Sequence, residues 1–317
     1  MKNILTFIFV AIVSISLNAN NVTELLLRAE QAIEEEEYEI ALEYYNQAIE
    51  LAPQNAVAYY LRGIFNFEET DDDLALNDFN KAIELGFDKI DIYYHRGLAY
   101  ESLVEYENAI NDLTIFLNHK SKKTDEMLIS SYETRGWCNY DLGNYPEALK
   151  DYSKVIEIDP MQYGPHNIIA KIYLNTERFE KAIEQYYKML KLFPAKKNNI
   201  RAQIVVVKVN AGDFEGAIND CTQLIQEGYA RYSVYTMRGL AYLGIKEYQL
   251  ALDDANTSIE KYRITSEACY IKAKANFGFG NLQVALNQIN EALKLYPENE
   301  IYLKNKDLIE KAISEKK

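Results

Sequence analysis

The chain of 317 residues is poor in the residues that punctuate, crosslink or bind metals: it has 3 Cys, 6 Pro, 13 Gly, 3 His and 1 Trp. Cys138, Cys221 and Cys269 lie far apart and are odd in number, which excludes a disulfide framework and makes them small buried hydrophobes. His95, His119 and His166 show neither CxxC nor HxxxH spacing with them, so no metal ligand set and no cofactor is expected. So few Pro and Gly in so long a chain predict long helices joined by short turns. Positive charge is also short: 34 Lys and Arg stand against 48 Asp and Glu, a net −14 that repels phosphate backbones and excludes a nucleic-acid partner. What is abundant is apolar and aromatic surface, 48% hydrophobic residues with 26 Tyr, enough for a large core and too much for a disordered chain.

One apolar run stands apart, Ile4 to Leu17, behind Lys2 and ahead of Asn18-Ala19, with the first acidic residue at Glu24. It falls short of the ~20 residues that cross a bilayer, and no second run of its kind follows. Residues 1–19 therefore read as a secretory signal peptide cleaved after Ala19, and no membrane span is expected. No Cys stands near that point for lipid attachment. The expected location is periplasmic or extracellular. In a eukaryotic secretory pathway Asn21-Val22-Thr23 and Asn256-Thr257-Ser258 would accept glycans.

An Ala followed by Leu or Ile recurs at Ala41, Ala75, Ala109, Ala148, Ala182, Ala217, Ala251 and Ala285, with spacings of 34, 34, 39, 34, 35, 34 and 34. Twelve residues earlier stands a small residue in seven of eight copies: Ala29, Gly63, Gly97, Gly136, Ala170, Gly239 and Ala273, with Val205 the exception. An aromatic precedes the Ala by three in six copies: Tyr38, Tyr106, Tyr145, Phe179, Phe214 and Tyr248. Pro53, Pro160, Pro194 and Pro297 follow their Ala by twelve, where a Pro ends one helix and opens the next. Small residues at two facing positions let helices approach closely, so each copy predicts a helical hairpin, the aromatic filling the gap beside its turn. The run Ile204 to Val207 has low helix propensity and is still expected to be helical.

This pattern resembles the tetratricopeptide repeat family, of period 34 with small, Ala, aromatic and Pro positions. The family's usual Trp is replaced by Tyr59, Tyr93, Tyr132 and Tyr235. The resemblance implies an all-α fold, a right-handed α-solenoid of eight helical hairpins over residues 22–297 (about 22–55, 56–89, 90–123, 129–162, 163–196, 198–231, 232–265 and 266–298). Residues 299–317 are expected to form a capping helix and tail, with Ile301, Leu308, Ile309, Ala312 and Ile313 on its apolar stripe. The five extra residues near His119 to Met127 form a loop with a basic spot. Any division is expected at Pro194 to Asn199, where the register gains one residue.

Arg precedes the small residue at Arg28, Arg62, Arg96, Arg135 and Arg238, and Asp follows the Ala by three at Asp78, Asp112, Asp151, Asp220 and Asp254. Four repeats carry both and two carry neither, which predicts an Arg-to-Asp link inside a hairpin rather than an anion-binding ladder. Asp71-Asp72-Asp73 and Glu34 to Glu37 precede second helices, where carboxylates suit the helix N-terminus, and lack the spacing of a calcium loop. No phosphate loop, G-x-S-x-G or H-E-x-x-H occurs, and the repeats leave no room for a catalytic domain, so no enzyme is expected.

In the tetratricopeptide family the first helices line a concave groove, through positions three before, one after and four after the small residue. The resemblance places Tyr60, Ile64 and Phe67 there, then Tyr94, Leu98 and Glu101, then Glu133, Trp137 and Tyr140, and further on Asn167, Lys171 and Leu174. The Lys and Asn pair with which some members hold a C-terminal carboxylate is absent. An aromatic and acidic lining implies a peptide or protein partner that is basic with apolar anchors. The function expected is a non-catalytic, exported, monomeric scaffold. The alternative is a structural part of a cell-envelope assembly that uses convex surface and edges.

Overall fold

The computed structural model describes residues 21–69, 71–121 and 123–315, so the expected signal segment lies outside the described residues. The chain divides into two compact halves, one ending at Pro160 and the other starting at Met161. The first half holds helix α1 (residues 21–34), α2 (Tyr38–Leu51), α3 (Ala56–Glu69), α4 (Asp72–Glu84), α5 (Asp91–Ser102), α6 (Tyr106–Asn118), α7 (Asp125–Asp141) and α8 (Tyr145–Ile158). The second holds α9 (Tyr163–Asn175), α10 (Phe179–Leu192), a 3-10 turn (Pro194–Lys196), α11 (Lys197–Ala211), α12 (Phe214–Gln226), α13 (Tyr232–Gly244), α14 (Tyr248–Lys261), α15 (Ser266–Gly278), α16 (Leu282–Leu295) and α17 (Glu300–Glu315). The described residues contain no strand, and the fold is all-α.

Each half contains four antiparallel pairs, and the recurring Ala of every pair is completely buried. The small residue opposite exists because something large fills its place. A Cβ on Gly63 would stand 2.7 Å from the Phe79 ring, and one on Gly97 2.8 Å from the Leu113 side chain. In the exceptional copy, Val205 shares a buried cluster with Cys221, which occupies the position of Phe79 and Leu113 in their hairpins. Bulk has moved across the seam at roughly constant volume, the kind of exchange cores tolerate. The β-branched stretch is helical as expected, within α11. The aromatic three before the Ala reaches further than the turn beside it: Phe214 and Tyr248 pack where a Cβ on Gly244 or Gly278, in the next first helix, would collide.

The turns inside the hairpins share a left-handed residue five before the Ala: Glu36, Val104, Gly143, Glu177, Gly212, Lys246 and Gly280. Val104 is the costly one, a β-branched residue at φ 63° and 65% exposed, with little packing to offset its strain. Val104→Gly should therefore raise stability by about 1 kcal/mol, read as a higher urea midpoint at unchanged slope. An unchanged or lower midpoint would show that the turn carries no such strain.

The Arg-to-Asp link is present in all four repeats that carry both residues. Arg62 donates from Nε and Nη2 to Asp78 at 2.8 and 2.7 Å, and Arg96 grips Asp112 at 2.6 and 2.9 Å. Arg135 holds Asp151 at 2.9 and 2.7 Å, and Arg238 holds Asp254 at 2.8 and 2.7 Å. The remaining Nη1 of each reaches back to the preceding hairpin, to Asn46 Oδ1, Asn80 Oδ1, Thr114 Oγ1 and Thr222 Oγ1 at 2.6, 2.7, 2.9 and 3.0 Å. One planar guanidinium thus joins three helices. Arg28 stands apart, on an exposed pair with Glu24, and Asp220 takes Lys208 at 2.7 Å instead of an arginine. The fifth repeat, which carries neither residue, bonds Gln185 to His166 Nδ1 at 2.9 Å.

Two expectations are corrected. Pro194 to Asn199 is not where the chain divides: a single buried cluster runs through it, from Ala182, Tyr186 and Met189 to Ile200, Ile204 and Val207. The extra residue is absorbed by the 3-10 turn, which leaves the core continuous across it. In α17 the expected stripe is partly rotated: Ile309 is buried as expected, but Ile301 and Leu308 are exposed and Tyr302 is buried in their stead. The larger aromatic area decides the rotation, as Tyr302 stacks on Tyr270 with centroids 5.1 Å apart. Ile313 keeps its expected place against that cluster.

Candidate functional site

Within the first half, consecutive first helices touch directly, α3 to α5 and α5 to α7, while α4 and α6 make no comparable contact among the described residues. First helices therefore line the tighter face, and all nine candidate residues of the first three groove repeats lie on them.

They do not act alike. The Tyr60 ring is half-buried, stacked on Phe87 at 4.3 Å and edge-on to His95 at 5.9 Å, and burial raises its hydroxyl above the usual tyrosine range. Tyr94 donates its hydroxyl to Ser130 Oγ at 3.1 Å and packs on Phe116 at 5.3 Å, tying α5 to α6 and α7. Ile64 and Phe67 pack against the Ala75 to Ala99 cluster, and Leu98 is half-buried. These five side chains serve chiefly the joints between helices.

The reachable part is smaller. Trp137, 38% exposed, stacks on Tyr140 at 5.7 Å, and Tyr140 leans on Tyr145 at 5.7 Å. Glu133 lies one turn before Trp137, and Glu101 approaches from α5, close enough for its charge to act on the Cys138 thiol. Burial raises both carboxyls above the ordinary glutamate range, helped at Glu101 by the charge of Asp72. Neither forms an ion pair among the described residues. Two half-desolvated carboxylates beside an exposed indole form a place for a cation carried on an apolar stem.

His95 lies on α5 and is half-buried. Its ring lies against Tyr60, Tyr94 and Phe79, and burial lowers its pKa to about 4 against the opposing charge of Asp91. The three cysteines are free and buried, with the thiols of Cys138 and Cys221 pushed up to about 12 by burial. Among the described residues no group of three His, Cys, Asp or Glu could hold a metal ion, and no helix is long and apolar enough to cross a membrane.

The tetratricopeptide repeat family matches residues 26–88, 90–114, 130–161 and 165–196. The serine/threonine-protein phosphatase 5 of Rattus norvegicus is 32% identical over 110 residues, 33% of this chain and 22% of that protein, so the chain spans about a fifth of the relative's length. Among solved structures, YrrB, described as a TPR protein with an unusual peptide-binding site, is 25% identical with a TM-score of 0.50, over 57% of this chain and 90% of that one. The C-terminal part of a TPR repeat-containing protein from Cytophaga hutchinsonii is 17% identical with a TM-score of 0.55, over 77% and 98%. MamA is 18% identical with a TM-score of 0.50, over 56% and 94%. The last two are likenesses of fold alone. With the period of 34, the buried Ala of each hairpin and these matches, the chain is one that carries tetratricopeptide repeats.

Proposed function

We propose that this chain is a non-catalytic, exported, monomeric scaffold whose first half grips a peptide or protein segment that is basic and carries apolar anchors. The observation that carries the reading is the setting of Glu101 and Glu133, half-buried on neighbouring first helices beside the exposed Trp137. A ligand lysine or arginine would supply the missing charge while its stem covers the indole. The likeness to YrrB supports a peptide as the class of ligand. Export rests on the sequence of residues 1–19.

The test is titration of the full chain with a labelled peptide alternating Lys with Leu and Phe. Trp137→Ala should weaken capture at least tenfold with its helical spectrum intact, and Glu101→Gln with Glu133→Gln should remove most of the salt dependence. Binding should also fall as pH drops through the raised carboxyl range, because protonation removes the attracting charge. If these variants bind like the parent while changes at exposed Leu74 and Ile115 on second helices abolish association, the chain is an assembly part.

A further inference from the structure

In the second half, α11 and α13 touch directly, and two cavities of opposite character are both lined by residues of α11 and by residues in or just before α13. The first is an apolar notch of ≈ 80 Å³ floored by the buried Cys221, Leu224 and Val234, walled by Val206 and Met237, with Gln203 and Ser233 also in its lining. The second is an open polar cleft of ≈ 490 Å³ between the Pro194 to Asn199 connector and the segment from Glu227 to Arg231. Asn199 of the cleft lies one helical turn before Gln203 of the notch, and Arg231 two residues before Ser233. Both linings therefore draw on the same two stretches of chain, within one helical turn of each other.

The cleft is basic on a chain of net charge −14. Its carboxylate, Glu227, is held by Arg201 at 2.6 Å. Lys196, Lys197 and Arg231 form no ion pair among the described residues. The Lys196 ammonium stands 4.8 Å over the Tyr163 ring and the Arg231 guanidinium 4.6 Å over Tyr229, whose hydroxyl donates to Asn199 Oδ1. Aromatic faces orient these cations without neutralising them. The notch has room for one aliphatic side chain and few polar groups to hold water there, so filling it with methyl groups is favourable. It also falls in the repeat that carries Ile204 and Val205 where four others carry Arg and Gly.

We propose that the α11–α13 seam binds a partner segment in which a leucine- or methionine-like side chain is flanked within a few residues by two or more carboxylates. The charge of the cleft selects the partner's acidic groups, and the notch fixes the register. This site is independent of the one on α3, α5 and α7 and takes a ligand of opposite sign.

The experiment uses the full chain carrying Trp137→Ala, so that capture by the first half is not counted, and fluorescence anisotropy with a short Asp- and Glu-rich peptide containing a single leucine. The acidic peptide should bind, with affinity falling as salt rises. Exchange of its leucine for serine, or of its acids for lysines, should cost at least tenfold. Lys197→Glu with Arg231→Glu, two exposed changes outside the core, should weaken binding by more than tenfold and flatten the salt dependence. Val206→Phe should fill the notch with a similar loss, and if that variant loses its helical spectrum the serine peptide carries the same test. Equal binding of the leucine and serine peptides, or of the parent and the charge-reversed variant, overturns the proposal. So does equal competition by inorganic phosphate, and so does sedimentation showing that the cleft is filled by the acidic turns of a second copy.

Discussion

Arg96→Ala should destabilise the chain by about 3 kcal/mol, because it strands the carboxylate of Asp112, only 1% exposed, and cuts α5 from both α6 and α4. Asp112→Ala should cost less, since the abandoned guanidinium is 16% exposed, keeps Asn80 and can reach water. In a double-mutant cycle the pair should show a coupling of about 1.5 to 2 kcal/mol. Arg28→Ala provides the comparison: its bond to Glu24 lies on an exposed helix face and its loss should cost under about 0.5 kcal/mol. Urea unfolding reads all of these, with the slope checked for each variant, since a stack of repeats can lose cooperativity. Additive losses for Arg96 and Asp112, or a cost for Arg96→Ala no larger than for Arg28→Ala, would mean that the ladder does not hold the hairpins.

The second large effect concerns pH. His95 is neutral in the fold, with a pKa of about 4 against an ordinary value of 6.5. The unfolded chain therefore binds the extra proton first, so His95's contribution is fully present above pH 6.5. It is lost as pH falls from there to about 4. At 1.36 kcal/mol per unit, the loss is roughly 2 to 3 kcal/mol once partial exposure is allowed for. The groups facing His95 are Tyr60, Tyr94 and Phe79, with Asp91 the carboxylate that opposes the shift. Glu101 and Glu133, raised in the fold, act with the opposite sign in the carboxylate range, so the quantity to measure is the difference between the parent and His95→Leu. The parent should lose stability relative to that variant between pH 6.5 and 4.5, by thermal or urea unfolding. Parallel curves for the two proteins would place a solvated imidazole at this position.

Much of this was legible because a repeat states its own contacts many times over. Ala at one position and a small residue twelve before it can serve only a close crossing of two helices, and the buried Ala of every pair bears this out. The Arg and Asp pairs were readable from co-occurrence, since a charged residue on a buried face requires its partner. Their third bond, to Asn46, Asn80, Thr114 or Thr222, was not: those residue types are common on any helix and gave no pattern of their own.

The sequence by itself determined the helical class, the register of the hairpins and the chemistry of their joints, because these depend on contacts inside a 34-residue period that recurs. Tertiary structure alone decided which groove residues are free. Tyr60 and Trp137 occupy comparable first-helix faces, yet one is packed on Phe87 and His95 and the other is exposed. It also decided that the halves part at Pro160 rather than at Pro194, that Tyr302 and not Ile301 faces the core, and that the α11–α13 seam holds a notch beside a basic cleft. Each of these turns on the volume and charge of side chains brought in from other hairpins. Burial is a property of that meeting and not of the residue that is buried.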